Sequence, residues 1–199
     1  MARPKKEEAG KARQRIIDAF WELLGAMPYE HISIRGLSNR AQVNPNTFYR
    51  YFENIDDLAR KAFDENLMRE IPTIALQLFS EDRIETFNLF EEIQGRPNVE
   101  RMFLIVRSES NFLTQMLERA LMAFWLEQLG VAKEEMDEID LIELSALVGG
   151  WLAAIRRIAQ TGNVEVAREI AQKPLLRAAI ASVSDLRKRY RGHANSEDV

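Results

Sequence analysis

The sequence predicts an all-α protein. Apolar residues recur at three- and four-residue spacing, as in Ile16, Phe20, Leu23, Leu24 and Met27 of the first predicted helix. The alternation of apolar and polar residues that is typical of strands does not occur. Pro and Gly residues divide the chain into short helices before about residue 70 and longer ones after it. The expected architecture is a small N-terminal head of three helices and a larger helical body.

The helices of the head are predicted from their first residues. The first helix should end at Pro28, and Ser33 is a suitable N-cap for a short second helix. A third helix should start at Pro45, because Asn44 is a strong N-cap and proline is favoured at the first helical position. Asn54 should cap a fourth helix, which leads from the head into the body.

The body is expected to contain longer helices, and its Gly and Pro residues mark their ends. These helices are predicted at about 74–94, 98–107, 109–129, 135–161 and 165–190. Pro174 lacks an N–H and should kink or interrupt the last of them. We place the head at residues 1–56, with a basic flexible tail at 1–10, and the body at residues 57–199.

Composition excludes several classes of site. The 199 residues include no cysteine, which excludes disulfides, thiolate catalysis and thiolate metal sites. The two histidines, His31 and His193, are far apart in sequence, so we expect no metal site. The chain has no phosphate-binding glycine loop either. We therefore expect no cofactor, and we do not expect an enzyme.

Charge is unevenly distributed along the chain. The net charge is −4, but residues 1–60 carry +2 and the remainder −6, and six basic side chains lie in the first fifteen residues. This basic N-terminus is not followed by an apolar run, so it does not predict a signal peptide. The most apolar window, Leu144 to Ile155, has about twelve residues, whereas a spanning helix needs about twenty. We expect a cytoplasmic protein without a membrane partner.

Residues 33–52 contain two short predicted helices separated by about four residues, the arrangement of a helix-turn-helix. Phe48 and Phe52, four residues apart, should face the core. The other side of the second helix offers the groups that contact DNA: the polar side chains of Asn46 and Thr47, the hydroxyls of Tyr49 and Tyr51, and the guanidinium of Arg50. The segment therefore indicates DNA binding.

This segment resembles the DNA-binding domain of TetR-family transcriptional repressors. That family ends its helix-turn-helix with a Thr-aromatic-Tyr-x-x-Phe signature, which residues 47–52 match as Thr-Phe-Tyr-Arg-Tyr-Phe. The resemblance spans about residues 11–63, and the length and helical layout of the whole chain are also similar. The chain departs from the family pattern at Gln42, where glycine is usual, and at Ile55, where a phosphate-binding lysine is frequent.

Asn44, Pro45 and Asn46 replace a common Ser-x-Gly of the family. Arg35, Pro45 and the run from Ile55 to Leu58 are more similar to the branch that represses unsaturated fatty acid synthesis. The resemblance implies base contacts by Arg35 and the start of the third helix, and phosphate contacts by the serine and tyrosines. The predicted DNA-binding set is Ser33, Arg35, Asn44, Pro45, Asn46, Thr47, Tyr49, Arg50 and Tyr51.

The resemblance also implies a ligand pocket and a dimer interface in the body. The predicted pocket residues are Phe87, Phe90, Phe103, Arg107, Phe112, Met116, Trp125 and Trp151. The predicted interface residues are Leu147, Trp151, Ile155, Leu176, Ile180 and Val183. Gly149 and Gly150 each cost up to about 1 kcal/mol within a helix, which favours close approach of another helix or a ligand, or else a local bend.

These features together predict a homodimeric repressor that binds a palindromic operator in double-stranded DNA. A small organic effector, hydrophobic or acyl, would release it. Two alternatives remain open at this point. The body could be a packed dimerisation core without a ligand, and the protein could be an activator, since pocket walls resemble core in sequence and both kinds of regulator share the DNA-binding head.

Overall fold

The computed structural model describes residues 6–67, 97–161 and 173–194, together with residue 169. These ranges are helical and contain no strand, so the all-α prediction is confirmed. The α-helices are α1 (Lys6–Ala26), α2 (Ile34–Arg40), α3 (Pro45–Phe48), α4 (Ile55–Asn66), α5 (Pro97–Arg107), α6 (Asn111–Leu129), α7 (Glu138–Thr161) and α8 (Pro174–Ala194). A 3₁₀ turn (Tyr29–His31) lies between α1 and α2, and the helix predicted at 74–94 lies outside the described residues.

The three predicted N-caps of the head are confirmed. The Ser33 hydroxyl oxygen accepts a hydrogen bond from the backbone N–H of Gly36 at 3.1 Å. The side-chain oxygens of Asn44 and Asn54 accept from the N–H groups of Asn46 and Asp57, each at 2.8 Å. These bonds satisfy donors that have no partner within their helices, so they define where α2, α3 and α4 begin.

Body helices depart from their predicted first residues, and the helix predicted from residue 135 begins at Glu138. The helix predicted from residue 109 begins at Asn111, because Glu109 has a φ of +55°, which no right-handed helix contains. The last described helix begins at Pro174, the residue predicted to kink or interrupt the 165–190 helix, and most of the predicted helix before it lies outside the described residues. Gly130, with a φ of +70°, ends α6 in the left-handed conformation that glycine adopts readily.

α1 connects the head to the body. It packs on α2, α3 and α4, and it also contacts α5, where Gly25 lies beside Leu104. In the body, α5 and α6 pack against α7, and α8 packs on α6 and α7. Buried apolar side chains form one continuous cluster from Ile16 in α1 to Leu186 in α8. Among the described helices, none is long and apolar enough to cross a membrane.

Candidate nucleic-acid interface

The turn between α2 and α3 is held by backbone hydrogen bonds. The N–H of Val43 donates to the carbonyl of Ser38 at 2.9 Å, closing the chain back onto the end of α2. Gln42 adopts a φ of +53° in this turn, as its position in place of the usual glycine predicts. A side chain in that conformation costs about 1 kcal/mol, which the packing around the turn must offset.

Apolar residues on the inner side of both helices supply that packing. Leu37 of α2 and Phe48 of α3 are fully buried, and Ala41 and Phe52 nearly so. The Phe48 and Phe52 rings lie 5.5 Å apart between centroids. Burying two phenylalanines contributes several kcal/mol, so α3 is anchored by its inner face even though it has only four residues.

The outer side of the same element carries the predicted DNA-binding residues. Tyr49 is 59% exposed. Thr47 and Tyr51 are half-buried at the edge of the core, and the rest of the set is exposed: Ser33, Arg35, Asn44, Pro45, Asn46 and Arg50. All nine residues thus retain access to solvent on α2, α3 and the segments beside them.

Several of these side chains retain free hydrogen-bonding groups. Ser33 and Asn44 use one oxygen each for capping, which leaves the hydroxyl hydrogen and the amide NH₂ to donate. Arg35 and Arg50 form no salt bridge within the part of the chain that the structure describes. Arg40, on the same helix as Arg35, instead pairs with Glu22 of α1.

The end of α3 is fixed by Lys61 of α4. Its ammonium group donates to the carbonyl oxygen of Tyr51 at 3.1 Å and to the carboxylate of Asp57 at 2.8 Å. Burial opposes ionisation of Asp57, but the hydrogen bonds from Lys61 and from the Glu53 N–H outweigh it and hold the pKa of Asp57 below its ordinary value. The backbone at Tyr51 is therefore held in place by the ion pair of Lys61 and Asp57.

Sequence reasoning missed an aromatic contact between the head and the body, here called the head–body joint (Tyr29, Asp56, Arg60 and Phe112). The buried Tyr29 ring stacks on Phe112 of α6 with centroids 5.8 Å apart. Its hydroxyl donates to Asp56 at 2.6 Å, and the Arg60 guanidinium lies 5.2 Å from the Phe112 ring centroid.

Burial, and next the hydrogen bond to Asp56, raise the pKa of Tyr29 well above its ordinary value. The hydroxyl therefore stays protonated and remains a donor at neutral pH. No local pattern marks these four residues as a group, because Tyr29 and Phe112 are far apart in sequence.

The predicted pocket residues lie in different environments. Phe103, Phe112, Met116 and Trp151 are half-buried, and Trp125 is buried with the Arg187 guanidinium 5.8 Å from its ring centroid. Arg107 is exposed at the end of α5, while Phe87 and Phe90 lie outside the described residues. The pocket therefore stays a prediction.

The predicted interface residues also differ in exposure. Leu147 and Ile155 are half-buried on α7, as is Trp151, whereas Ile180 and Val183 of α8 pack in the chain's own core. The side chain of Leu176 lies outside the described part. Within the described residues, no group of acidic and histidine side chains could hold a metal ion.

One comparison with known proteins concerns the head. The matched segment runs from Ile16 in α1 to Ala62 in α4, so it contains α2, the turn and α3. It lies within the resemblance at about residues 11–63 that the sequence indicates, and it includes the signature at residues 47–52. A match to a family of regulators also agrees with the expectation that the chain is not an enzyme. Residues 16–62 match the family model described as bacterial regulatory proteins, tetR family, and the match indicates a DNA-binding transcriptional regulator.

Proposed function

We propose that the protein is a cytoplasmic, homodimeric repressor that binds a palindromic operator and is released from it by a small organic effector. The observation that carries the DNA-binding part is the two-sided helix-turn-helix. Phe48 and Phe52 bury its inner face in the core, and its outer face exposes polar and cationic side chains. A recognition helix needs this division, because its side chains must reach base edges while its backbone stays fixed.

The roles of the exposed residues follow from their chemistry. Arg35 presents a planar fork that matches the O6 and N7 acceptors of guanine, and Asn46 and Thr47 offer hydrogen bonds at the start of α3. Ser33 and Tyr49 carry hydroxyls that suit phosphate oxygens. The basic N-terminal residues would add a sequence-independent attraction that weakens as salt concentration rises.

Footprinting of the purified protein on DNA upstream of its own gene, at several salt concentrations, tests the DNA-binding proposal. We expect salt-sensitive protection of a palindromic site. Arg35→Gln should weaken binding by about 5- to 150-fold, the cost of one bidentate base contact. Arg40→Gln is the matched control, since it removes the same charge from the same helix but from a side chain paired with Glu22.

Equal effects of Arg35→Gln and Arg40→Gln would show that α2 contributes only general charge. Absence of salt-sensitive protection at any palindrome would refute the DNA-binding proposal itself. Tyr49→Phe provides a further comparison. It should weaken binding to all sequences by a similar factor, because a phosphate contact carries no sequence information.

An apolar groove on α7 and α8 supports the dimer. The groove has a volume of about 240 Å³ and is lined by Ala146, Leu147, Gly150, Trp151, Ala154, Lys173, Leu175 and Ala179. Leu175 is 82% exposed at its rim, and Ile139 and Ile142 on α7 are 75% and 62% exposed. Apart from the backbone of its own helix, a Cβ at Gly149 or Gly150 would meet no described atom within 4 Å, so both positions leave room for another backbone.

A second copy of the chain would cover this face, because a two-fold pair of α7 and α8 forms a four-helix interface with the same patch on both sides. Light scattering should give twice the protomer mass. Leu175→Glu should shift the protein toward monomer, because it places a charge in the proposed interface. Since Leu175 is exposed in the protomer, the substitution should not affect the folding of the protomer. Met27→Glu, on an exposed apolar side chain of the head, is the control. A wild-type monomer at all concentrations would refute this part.

The half-buried apolar side chains on α5, α6 and α7 support an effector site in the body, and the resemblance to the branch that represses unsaturated fatty acid synthesis favours a hydrophobic or acyl compound. The effector would need to bind the DNA-free conformation more tightly, since equal binding shifts no equilibrium. α4 is suited to transmit the change, because Asp56 and Arg60 both contribute to the head–body joint. Retention of operator binding at saturating effector would favour a dimer without ligand control.

A further inference from the structure

Arg156 of α7 is a cation with almost no partners. Its Nη2 group donates to the Thr114 hydroxyl of α6 at 3.4 Å, which is a long hydrogen bond. Its Nε–H is buried and has no hydrogen-bond partner. Arg156 forms no salt bridge with any other described residue, and a guanidinium cannot lose its proton at physiological pH. The chain therefore holds a fixed positive charge that is only partly satisfied.

Buried apolar residues flank Arg156 and Thr114 along their own helices. Leu152 lies one helical turn before Arg156, and Leu117 lies about one turn after Thr114, so both are neighbours along their helices. Both leucines are buried. Taking a charge from water into such a site is costly unless an opposite charge and further hydrogen bonds accompany it. The missing partner is therefore an anion.

A carboxylate that contacts α7 one turn beyond Arg156 does not serve this purpose. Glu109 accepts a hydrogen bond from the Gln160 side chain at 3.3 Å, one turn beyond Arg156. It forms no ion pair with Arg156 in the described structure. Glu109 is exposed and held at a φ of +55° by the turn between α5 and α6. No described carboxylate therefore pairs with the Nε–H of Arg156.

We infer that Arg156 and Thr114 form the binding site for the oxyanion of an organic ligand, a carboxylate or phosphate attached to an apolar body. The Nε–H and an Nη–H of one guanidinium form a planar edge that matches two oxygens of such a group. The Thr114 hydroxyl can donate to the same group. This inference rests on the proposed effector site and assigns the charge of its occupant.

Binding of ten-carbon probes to the full-length protein, without DNA, tests the inference. The probes are decanoate, decyl phosphate and the neutral 1-decanol, each below its micelle concentration, measured by calorimetry and by the shift of the unfolding temperature. Wild type should bind at least one of the two anions at least about 10-fold more tightly than decanol, as expected for hydrogen bonds to a charged group. Arg156→Gln should reduce that preference to the level of decanol.

Arg157→Gln is the matched control, since Arg157 is the exposed neighbour on the same helix and should keep the wild-type preference. Without probe, Arg156→Gln should unfold at the wild-type temperature or above it, because it removes an unsatisfied buried charge. If Arg156→Gln does not fold, Arg156→Lys decides. It keeps the charge without the planar fork and should retain an intermediate preference for the anion.

Two results would overturn the inference: no preference of the wild type for either anion over decanol, or an unchanged preference in Arg156→Gln. Equal binding of all three probes would still leave a neutral effector site possible within the proposed function. Decanoate bound through Arg156 without release of the operator would confirm the anion site and contradict the proposed effector control. The failures of the two proposals are therefore distinguishable.

Discussion

Replacing Tyr29 with phenylalanine removes one hydroxyl from the head–body joint and leaves the ring stacked on Phe112. The lost hydrogen bond joins the Tyr29 hydroxyl to the Asp56 carboxylate at 2.6 Å. Hydrogen bonds to charged groups contribute about 1.5–3 kcal/mol to stability. Asp56 is exposed and regains water when the hydroxyl is removed, so we expect a loss near the lower limit, about 1.5 kcal/mol.

Urea unfolding at a fixed protomer concentration measures this change, since the unfolding of an oligomer depends on concentration. The corresponding shift in melting temperature is about 3–6 °C for a chain of this size. Tyr49→Phe is the control, because this exposed tyrosine has no hydrogen-bond partner among the described residues and its stability should not change. A change below about 0.5 kcal/mol in Tyr29→Phe would mean that the hydroxyl contributes little to the stability of the head–body joint.

Three other predictions follow from the same structure. Burial raises the pKa of Tyr29 and of Tyr190, so unfolded tyrosines ionise before these two do. The free energy of unfolding should therefore fall as pH rises above about 10. Tyr29→Phe should reduce that fall, as measured by urea unfolding at alkaline pH. Gln42→Gly should raise the melting temperature through the relief of up to about 1 kcal/mol at positive φ, whereas Gly130→Ala should lower it by a similar energy. Phe48→Ala should cost about 3–5 kcal/mol and broaden or abolish thermal unfolding; a loss below about 1 kcal/mol would show that α3 is not anchored by this ring.

The sequence was sufficient where structure depends on neighbouring residues. Ser33, Asn44 and Asn54 cap the helices that follow them, since each N-cap bond joins residues two or three positions apart. Gln42 stands where the resembled family usually has glycine, and it adopts the positive φ that glycine favours. The inward and outward sides of α3 followed from the four-residue spacing of Phe48 and Phe52.

Contacts between distant segments could not be predicted in this way. Tyr29 and Phe112 stack across the joint, and Arg156 reaches Thr114, which is 42 positions earlier in the chain. Such pairs depend on how whole helices cross, and the apolar periodicity of a single sequence does not specify that crossing. Glu109 illustrates the same limit locally, because its pattern fitted a helix while the turn from α5 to α6 required a left-handed residue.

A polar cluster at one end of α7 and α8 bears on the proposed dimer. The nearly buried Asp140 carboxylate accepts hydrogen bonds from Arg189 and, at 2.9 Å, from the Tyr190 hydroxyl. Glu143, one turn later, accepts from Arg189 at 3.3 Å and also from Ser182. The start of α7 is thereby tied to the end of α8.

The groove of Trp151 and Leu175 is lined by none of these residues, so ionic contacts fix the crossing of α7 and α8 while the apolar face remains open. A pair of helices that is already ordered loses less entropy when it binds a second copy. A rigid four-helix interface would also keep the two recognition helices at a constant separation, as successive major grooves require. In the proposed dimer, we expect Asp140 and Arg189 to affect DNA recognition through the geometry of the interface.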